Sequence, residues 1–192
     1  MTTTFHGLDL LTAPGLVFTP RASTEALVDA ALARLDDQPA TVADVGTGSG
    51  AIAVALAVAK PEIEVWATDT SDAAVELARA NAERHGVGSR VHVLRGNLLE
   101  PVPGPVDLVV ANLPYLPETD RRPEYDAEPD EAIYAPGDGL GPLRTLVALC
   151  ADGKLAMPGW VLVQFHRDVL EADCQHLPEL REELEQAALA RS

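Results

Sequence analysis

A short apolar segment, Thr41 to Val45, runs into Asp44-Val45-Gly46-Thr47-Gly48-Ser49-Gly50 and resumes as the apolar stretch Ala51 to Ala59. No other segment restricts the fold as strongly. Glycines let a backbone turn tightly and let a ligand approach without meeting a Cβ. The helix that follows presents N–H groups with no partner inside the helix. A strand, a glycine turn and a helix in this order mark the start of an open α/β sheet.

The unit recurs. Glu64 to Thr68 reads as a second strand, and Ser71 caps a helix to about His85 with Asp72 in its first turn. Arg90 to Leu94, Val106 to Ala111 and Trp160 to Phe165 read as three more strands, with a helix over Leu143 to Ala151. This alternation predicts an α/β fold, a doubly wound, mostly parallel sheet with helices on both faces. At 192 residues the chain fits one domain. Residues 1–20, with Gly7, Pro14, Gly15 and Pro20, read as a lead-in loop, and 21–192 as the domain. Ser23 or Thr24 is expected to cap a first helix bearing Leu27, Val28, Ala31, Leu32 and Leu35. Within the domain, 112–141 is a long acidic loop of the kind that carries function. From Asp168 on, only helix signals are visible, so 168–192 is expected to be a helical C-terminus.

The formal net charge is −16, which repels nucleic-acid phosphate at long range and disfavours a general nucleic-acid binder. Cys150 and Cys174 lack CxxC spacing and clustered His, so neither a zinc site nor a disulfide is expected, and no metal site is predicted. No basic segment precedes an apolar run at the N-terminus, and the longest apolar run is too short to span a bilayer. A cytoplasmic chain with no membrane partner is the expectation.

Asp69 closes the second strand near the spacing at which an acid accepts hydrogen bonds from ribose hydroxyls. With the glycine turn it points to a nucleoside-containing cofactor. Gly46, Gly48 and Ala51 also fit the G-x-G-x-x-A dinucleotide fingerprint, which keeps a nicotinamide-dependent dehydrogenase open. A methyl donor is favoured by Asp44 two residues before the first glycine, and by Asn97-Leu98 after strand three where an adenine could lie. No His or Lys base stands where hydride transfer would need one.

The fourth strand ends in Asn112-Leu113-Pro114-Tyr115. Ligands of open α/β sheets bind beyond such strand ends. Backbone carbonyls and an amide side chain can accept from a planar –NH2 group while the ring stacks on its face. The turn therefore suggests chemistry on an amide or exocyclic amine nitrogen.

Together these residues resemble a class I S-adenosylmethionine-dependent methyltransferase, a Rossmann-like fold, and more narrowly the HemK/PrmC family, which methylates a glutamine side-chain amide of translation release factors. The resemblance runs over about residues 8 to 163. It rests on Phe18-Thr19-Pro20-Arg21 with Thr24-Glu25, the 44–50 turn, Ala67-Thr68-Asp69, Gly96 to Leu99, Asn112 to Tyr115, Glu128-Pro129 and Gly137 to Leu140. It implies S-adenosylmethionine as cofactor and S-adenosylhomocysteine as product. Gly46, Thr47, Gly48, Ser49 and Gly50 would cradle the methionine end, with Asp44 beside them, and Asp69 would hold the ribose. Asn97 and Leu98 would border the adenine, and Phe18 and Arg21 the pocket's edge, where Arg21 equally reads as a structural ion-pair partner. Asn112, Pro114 and Tyr115 would be catalytic, and Asn112 through Tyr115 would hold the substrate, Asn112 also reaching the cofactor.

The chain departs from the family at four places. Leu113 replaces the more usual proline, as in ribosomal RNA adenine dimethyltransferases, which keeps an adenine N-methyltransferase acting on RNA or DNA as an alternative. Asn97 stands where Asp is usual. The family's N-terminal recognition domain has no counterpart, and stand-alone relatives of similar length work with a small partner subunit. After Phe165 two further strands would be expected and are not visible, which would leave an open edge for a homodimer or the last helix to cover. An inactive cofactor-binding remnant or partner subunit is the remaining alternative.

Overall fold

The computed structural model describes residues 1–166 and 168–189. Six strands form the central sheet: β3 (Ala40–Val45), β4 (Ile63–Asp69), β5 (Val91–Arg95), β6 (Val106–Ala111), β9 (Leu155–Phe165) and β10 (Asp168–Asp173), in the spatial order β10-β9-β6-β3-β4-β5. Every pairing is parallel except β9 with β10. The expected doubly wound, mostly parallel sheet is therefore present. Chain order departs from β3 in both directions, so a topological switch point opens between β3 and β6, where such folds bind ligands.

Helices cover both faces. Helices α1 (Glu25–Arg34), α2 (Ala51–Ala59) and α3 (Asp72–Arg84) share one apolar cluster with Val42, Val65, Val91 and Val110. Helices α4 (Gly141–Leu149) and α5 (Leu177–Leu189) share the other with Ala43, Val45, Val109, Val161 and Val163. Alternate residues of each strand thus feed opposite cores. Helix α2 is apolar all round because it lies between the sheet and its neighbours.

Three local readings change. The lead-in is not a loop throughout: β1 (Thr2–Phe5) and β2 (Leu8–Leu11) form a hairpin turned at His6 and Gly7, both at positive φ, and it buries Phe5 and Leu10. Asp168–Asp173 is a strand and not a helix. It pairs along β9, so β9 is not the open edge. Its three acids are exposed or half-buried and only Ala172 is fully buried, which hid the strand in the sequence. The last part of the expected helical C-terminus, residues 190–192, lies outside the described residues. Finally, Thr24 is the N-cap of α1, but no side chain caps that helix, whereas Ser71 caps α3 by accepting from Ala74 N at 3.4 Å. In the 112–141 loop, β7 (Leu116–Pro117) pairs with β8 (Tyr134–Ala135) around two short 3₁₀ turns.

Candidate active site

The glycine turn is held from below. Asp44, fully buried, accepts from Thr47 Oγ1 at 2.6 Å and from Ala53 N in the first turn of α2 at 3.1 Å. Its second oxygen, Oδ1, has no partner among the described residues. Burial pushes its carboxyl up to about 6, against the opposing pull of the Thr47 hydroxyl and the Ala53 N–H. The amides of Gly46 and Thr47 both donate to Thr68 O at 2.9 Å, which folds the turn back over β4. Gly46, Gly48 and Gly50 all have positive φ.

At the end of β4 the Asp69 carboxylate accepts from Gly48 N and Ser71 N, both at 2.9 Å. Each carboxylate oxygen keeps a lone pair for a further donor. Thr68 Oγ1 donates to Leu98 O at 2.8 Å and so ties β4 to the Asn97-Leu98 segment, where Leu98 takes a left-handed φ of 49°.

Across the switch point, Asn112 continues β6. Its Nδ2 donates to Thr24 Oγ1 at 3.2 Å. A Cβ added at Gly46 would lie 2.7 Å from Leu113 Cδ2, so the two turns pack directly on each other. The Tyr115 ring is set by Phe165 and His166, with ring centroids 4.9 and 4.8 Å away. Gly139, at a φ of 85°, lets its segment pass against the Tyr115 backbone where a side chain would collide.

The lead-in straps over both turns. Thr19 N donates to Glu128 Oε2 at 3.0 Å, and Arg21 lies 3.7 Å from the same carboxylate while stacking on Tyr125 at 4.6 Å. A cleft of about 1290 Å³ results, larger than a drug-sized ligand needs. Among the described residues no cluster of three or more His, Cys, Asp or Glu could hold a metal ion. No helix among them is long and apolar enough to cross a membrane.

Residues 15–125 match the methyltransferase small domain family. The chain belongs to this family. The methyltransferase domain is 42% identical over 181 residues to a release factor glutamine methyltransferase of Deinococcus radiodurans, covering 92% of this chain and 62% of that protein. It is 43% identical over 166 residues to one from Gloeobacter violaceus, covering 83% and 57%. The chain thus spans about three-fifths of the length of these relatives. Among solved structures it is similar to a ribosomal protein L11 methylase of Lactobacillus delbrueckii subsp. bulgaricus, with 29% identity, a TM-score of 0.60, and coverage of 90% of this chain and 72% of that one.

The cleft of the methyltransferase domain brings together Phe18, Arg21, Gly46, Thr47, Gly48, Ser49, Asp69, Asn97, Leu98, Asn112, Leu113, Pro114 and Tyr115. Asp44 and Gly50 lie outside its lining: Asp44 acts beneath the turn, and Gly50 packs where a Cβ would meet Ala78 Cα at 3.0 Å. Arg21 lines the cleft and also makes an ion pair.

Two supporting residues escaped the sequence reading. Asn81, fully buried on α3, donates to Ser49 O at 2.8 Å and Leu11 O at 3.1 Å, and accepts from Leu11 N at 2.7 Å. It ties the hairpin to the glycine turn. Its one signal was an amide set among the apolar positions Ala74, Val75, Ala78 and Ala82. Gln164, at the end of β9, donates to the carbonyls of Ser23 at 3.2 Å and His166 at 3.3 Å.

Proposed function

We propose that this chain transfers a methyl group from S-adenosylmethionine to the side-chain amide nitrogen of a glutamine in a translation release factor, in the cytoplasm. The observation that carries the reading is the packing of the Asn112–Tyr115 turn against the glycine turn at the switch point. The names of the relatives that match over most of this chain supply the acceptor.

The residues present fit the cofactor. The left-handed glycine turn admits a ligand at backbone distance, and Asp69 keeps lone pairs for ribose hydroxyls. Gly46 to Ser49 would hold the methionine end, Asp69 the ribose, Asn97 and Leu98 the adenine, and Phe18 and Arg21 the outer edge. When bound, S-adenosylmethionine supplies an electrophilic methyl on sulfur. An amide nitrogen is a poor nucleophile because its lone pair is delocalised into the carbonyl. Asn112 Oδ1 and the Leu113 carbonyl accept the two N–H bonds of the acceptor amide and concentrate charge on its nitrogen. Tyr115, braced by Phe165 and His166, flanks the amide plane. Asn112 and Leu113 would hold the acceptor nitrogen in line with that methyl, so that its transfer would release S-adenosylhomocysteine and one amide proton would pass to solvent. Good orientation contributes roughly 7–11 kcal/mol to such a step. Transfer to an adenine has no comparable support: among the described residues the two arginines of the cleft wall are engaged, Arg21 with Glu128 and Arg122 with Asp120.

The test is labelled methyl transfer to release factor and to RNA, by wild type and by Asn112→Ala. Transfer to the protein alone is expected, with a loss of about 100-fold or more in the variant and cofactor affinity retained in calorimetry. Transfer to RNA, or an unaffected variant, overturns the reading.

A further inference from the structure

We propose that Thr24 is a positioning residue for methyl transfer: its hydroxyl accepts from Asn112 Nδ2 and thereby fixes which end of the Asn112 amide faces the methyl acceptor. The inference rests on the reading of Asn112 as the acceptor-binding group.

Thr24 joins the 3₁₀ turn Ala22–Thr24 to α1 and has a helical φ of −82° and ψ of −13°, so its hydroxyl is not aimed at a backbone N–H of the helix's first turn, as that of a capping threonine would be. Here it makes no such bond. The hydroxyl, on a residue only 6% exposed, is turned instead to Asn112 at 3.2 Å, 88 residues away in sequence.

The polarity of this bond matters chemically. A threonine hydroxyl can donate or accept, and a carboxamide offers a donor end and an acceptor end. If Thr24 donated to Asn112 Oδ1, the Asn112 –NH2 would face the acceptor –NH2, donor against donor. With Asn112 Nδ2 on Thr24, Oδ1 is left to accept from the substrate.

Gln164 holds the backbone on which Thr24 is carried. Its Nε2 meets two backbone carbonyls, Ser23 O and His166 O, and carbonyls only accept, so the orientation of its amide is fixed. That clamp pins the residue immediately before Thr24. The last register pair of β6 with β9 is Ala111 with Val163, so the next positions set Asn112 beside Gln164. Among the described residues only two buried side-chain polar atoms lack a partner, Asp44 Oδ1 and Gln164 Oε1.

The experiment compares Thr24→Val, which keeps the shape and removes the hydroxyl, with Thr24→Ser, which restores it, each in wild type and in Asn112→Ala. In the full chain with release factor, Thr24→Val is expected to lower kcat about 10- to 100-fold, with KM and calorimetric cofactor affinity within about twofold. Thr24→Ser recovers most of the rate, and Thr24→Val adds no further loss in the Asn112→Ala background. Independently of activity, the side-chain amide protons of Asn112 in ¹⁵N-labelled protein should exchange slowly in wild type and Thr24→Ser and fast in Thr24→Val. Equal losses in both backgrounds, no recovery with serine, or amide protons indifferent to Thr24 overturn the proposal. If wild type transfers to no amide, the proposed function falls, and the exchange measurement still decides the role of Thr24.

Discussion

Asp44 makes a prediction about stability that separates its structural role from that of a ligand contact. Its carboxylate is fully buried, holds Thr47 and the start of α2 by one oxygen, and leaves the other without a partner. Burial raises its pKa from 3.8 to about 6, a shift worth about 3 kcal/mol between the two protonation states. The folded state therefore binds the proton more tightly than the unfolded chain. The stabilisation from this group is fully present below about pH 4 and is lost as pH rises through about 6. Asp44→Asn keeps an acceptor oxygen for Thr47 and Ala53 but cannot ionise. Integrating the linkage between about pH 4.5 and about pH 7.5 gives a loss of about 2 kcal/mol in wild type that the variant escapes. Urea denaturation of both proteins at both pH values measures it, and subtracting wild type from variant cancels the other titrating groups. The variant should gain about 2 kcal/mol relative to wild type on going to the higher pH. A difference that stays constant with pH would show that Asp44 is not buried in its charged form, and the account of the turn would fail.

Gly46→Ala should place a side chain at a φ of 70°, against Leu113 Cδ2. The left-handed conformation costs about 1–2 kcal/mol, and Leu113 must move. Thermal unfolding should shift down by several degrees, and calorimetry and steady-state kinetics should show both weaker cofactor binding and a raised KM for the acceptor. A change in only one of these would refute direct packing of the two turns. Asn81→Leu should leave Ser49 O, Leu11 O and Leu11 N without their partner, at about 1–3 kcal/mol for each buried group. A lowered urea midpoint with weaker cofactor binding is expected, and a midpoint like that of wild type would refute the tie.

The central strands were legible because both their faces are buried, so Leu108 to Ala111 reads as a continuous apolar run and Val42 to Val45 as one broken only by Asp44. The edge strand β5 was still legible through Val91 and Val93, but β1 and β10 were not, because each offers one face to solvent. Thr2 to Phe5 is three threonines and a single buried aromatic, and Asp168 to Asp173 carries three acids and one buried alanine. An edge strand so charged resists pairing with another chain, and that same charge hides it from a search for apolar periodicity. The site divides along the same line. The glycine turn, Asp69 and the Asn112 turn are local motifs at strand ends, whereas Thr24, Asn81 and Gln164 act through partners 88, 70 and 141 residues away. Thr24 carried the strongest local signal of the three, and it pointed to a helix cap that does not form.

The lead-in shows how the two halves of the cleft are kept in register. On the proposed reading the cofactor half stands on β3, β4 and β5, and the acceptor half on β6 and β9. The segment from Val17 to Thr24 reaches both: Val17 Cγ1 lies 3.9 Å from where a Cβ on Gly48 would stand, Thr19 and Arg21 meet Glu128 of the loop, and Thr24 meets Asn112. Asn81 anchors the hairpin before this segment to the glycine turn, and Gln164 anchors its end to β9. A methyl transfer in line needs its two partners placed to within a fraction of an ångström, and misplacement by about 1 Å costs on the order of 100-fold. Two turns on separate strands satisfy that demand only if something outside the sheet spans them, and the buried amides of Asn81 and Gln164 fix the span at each end.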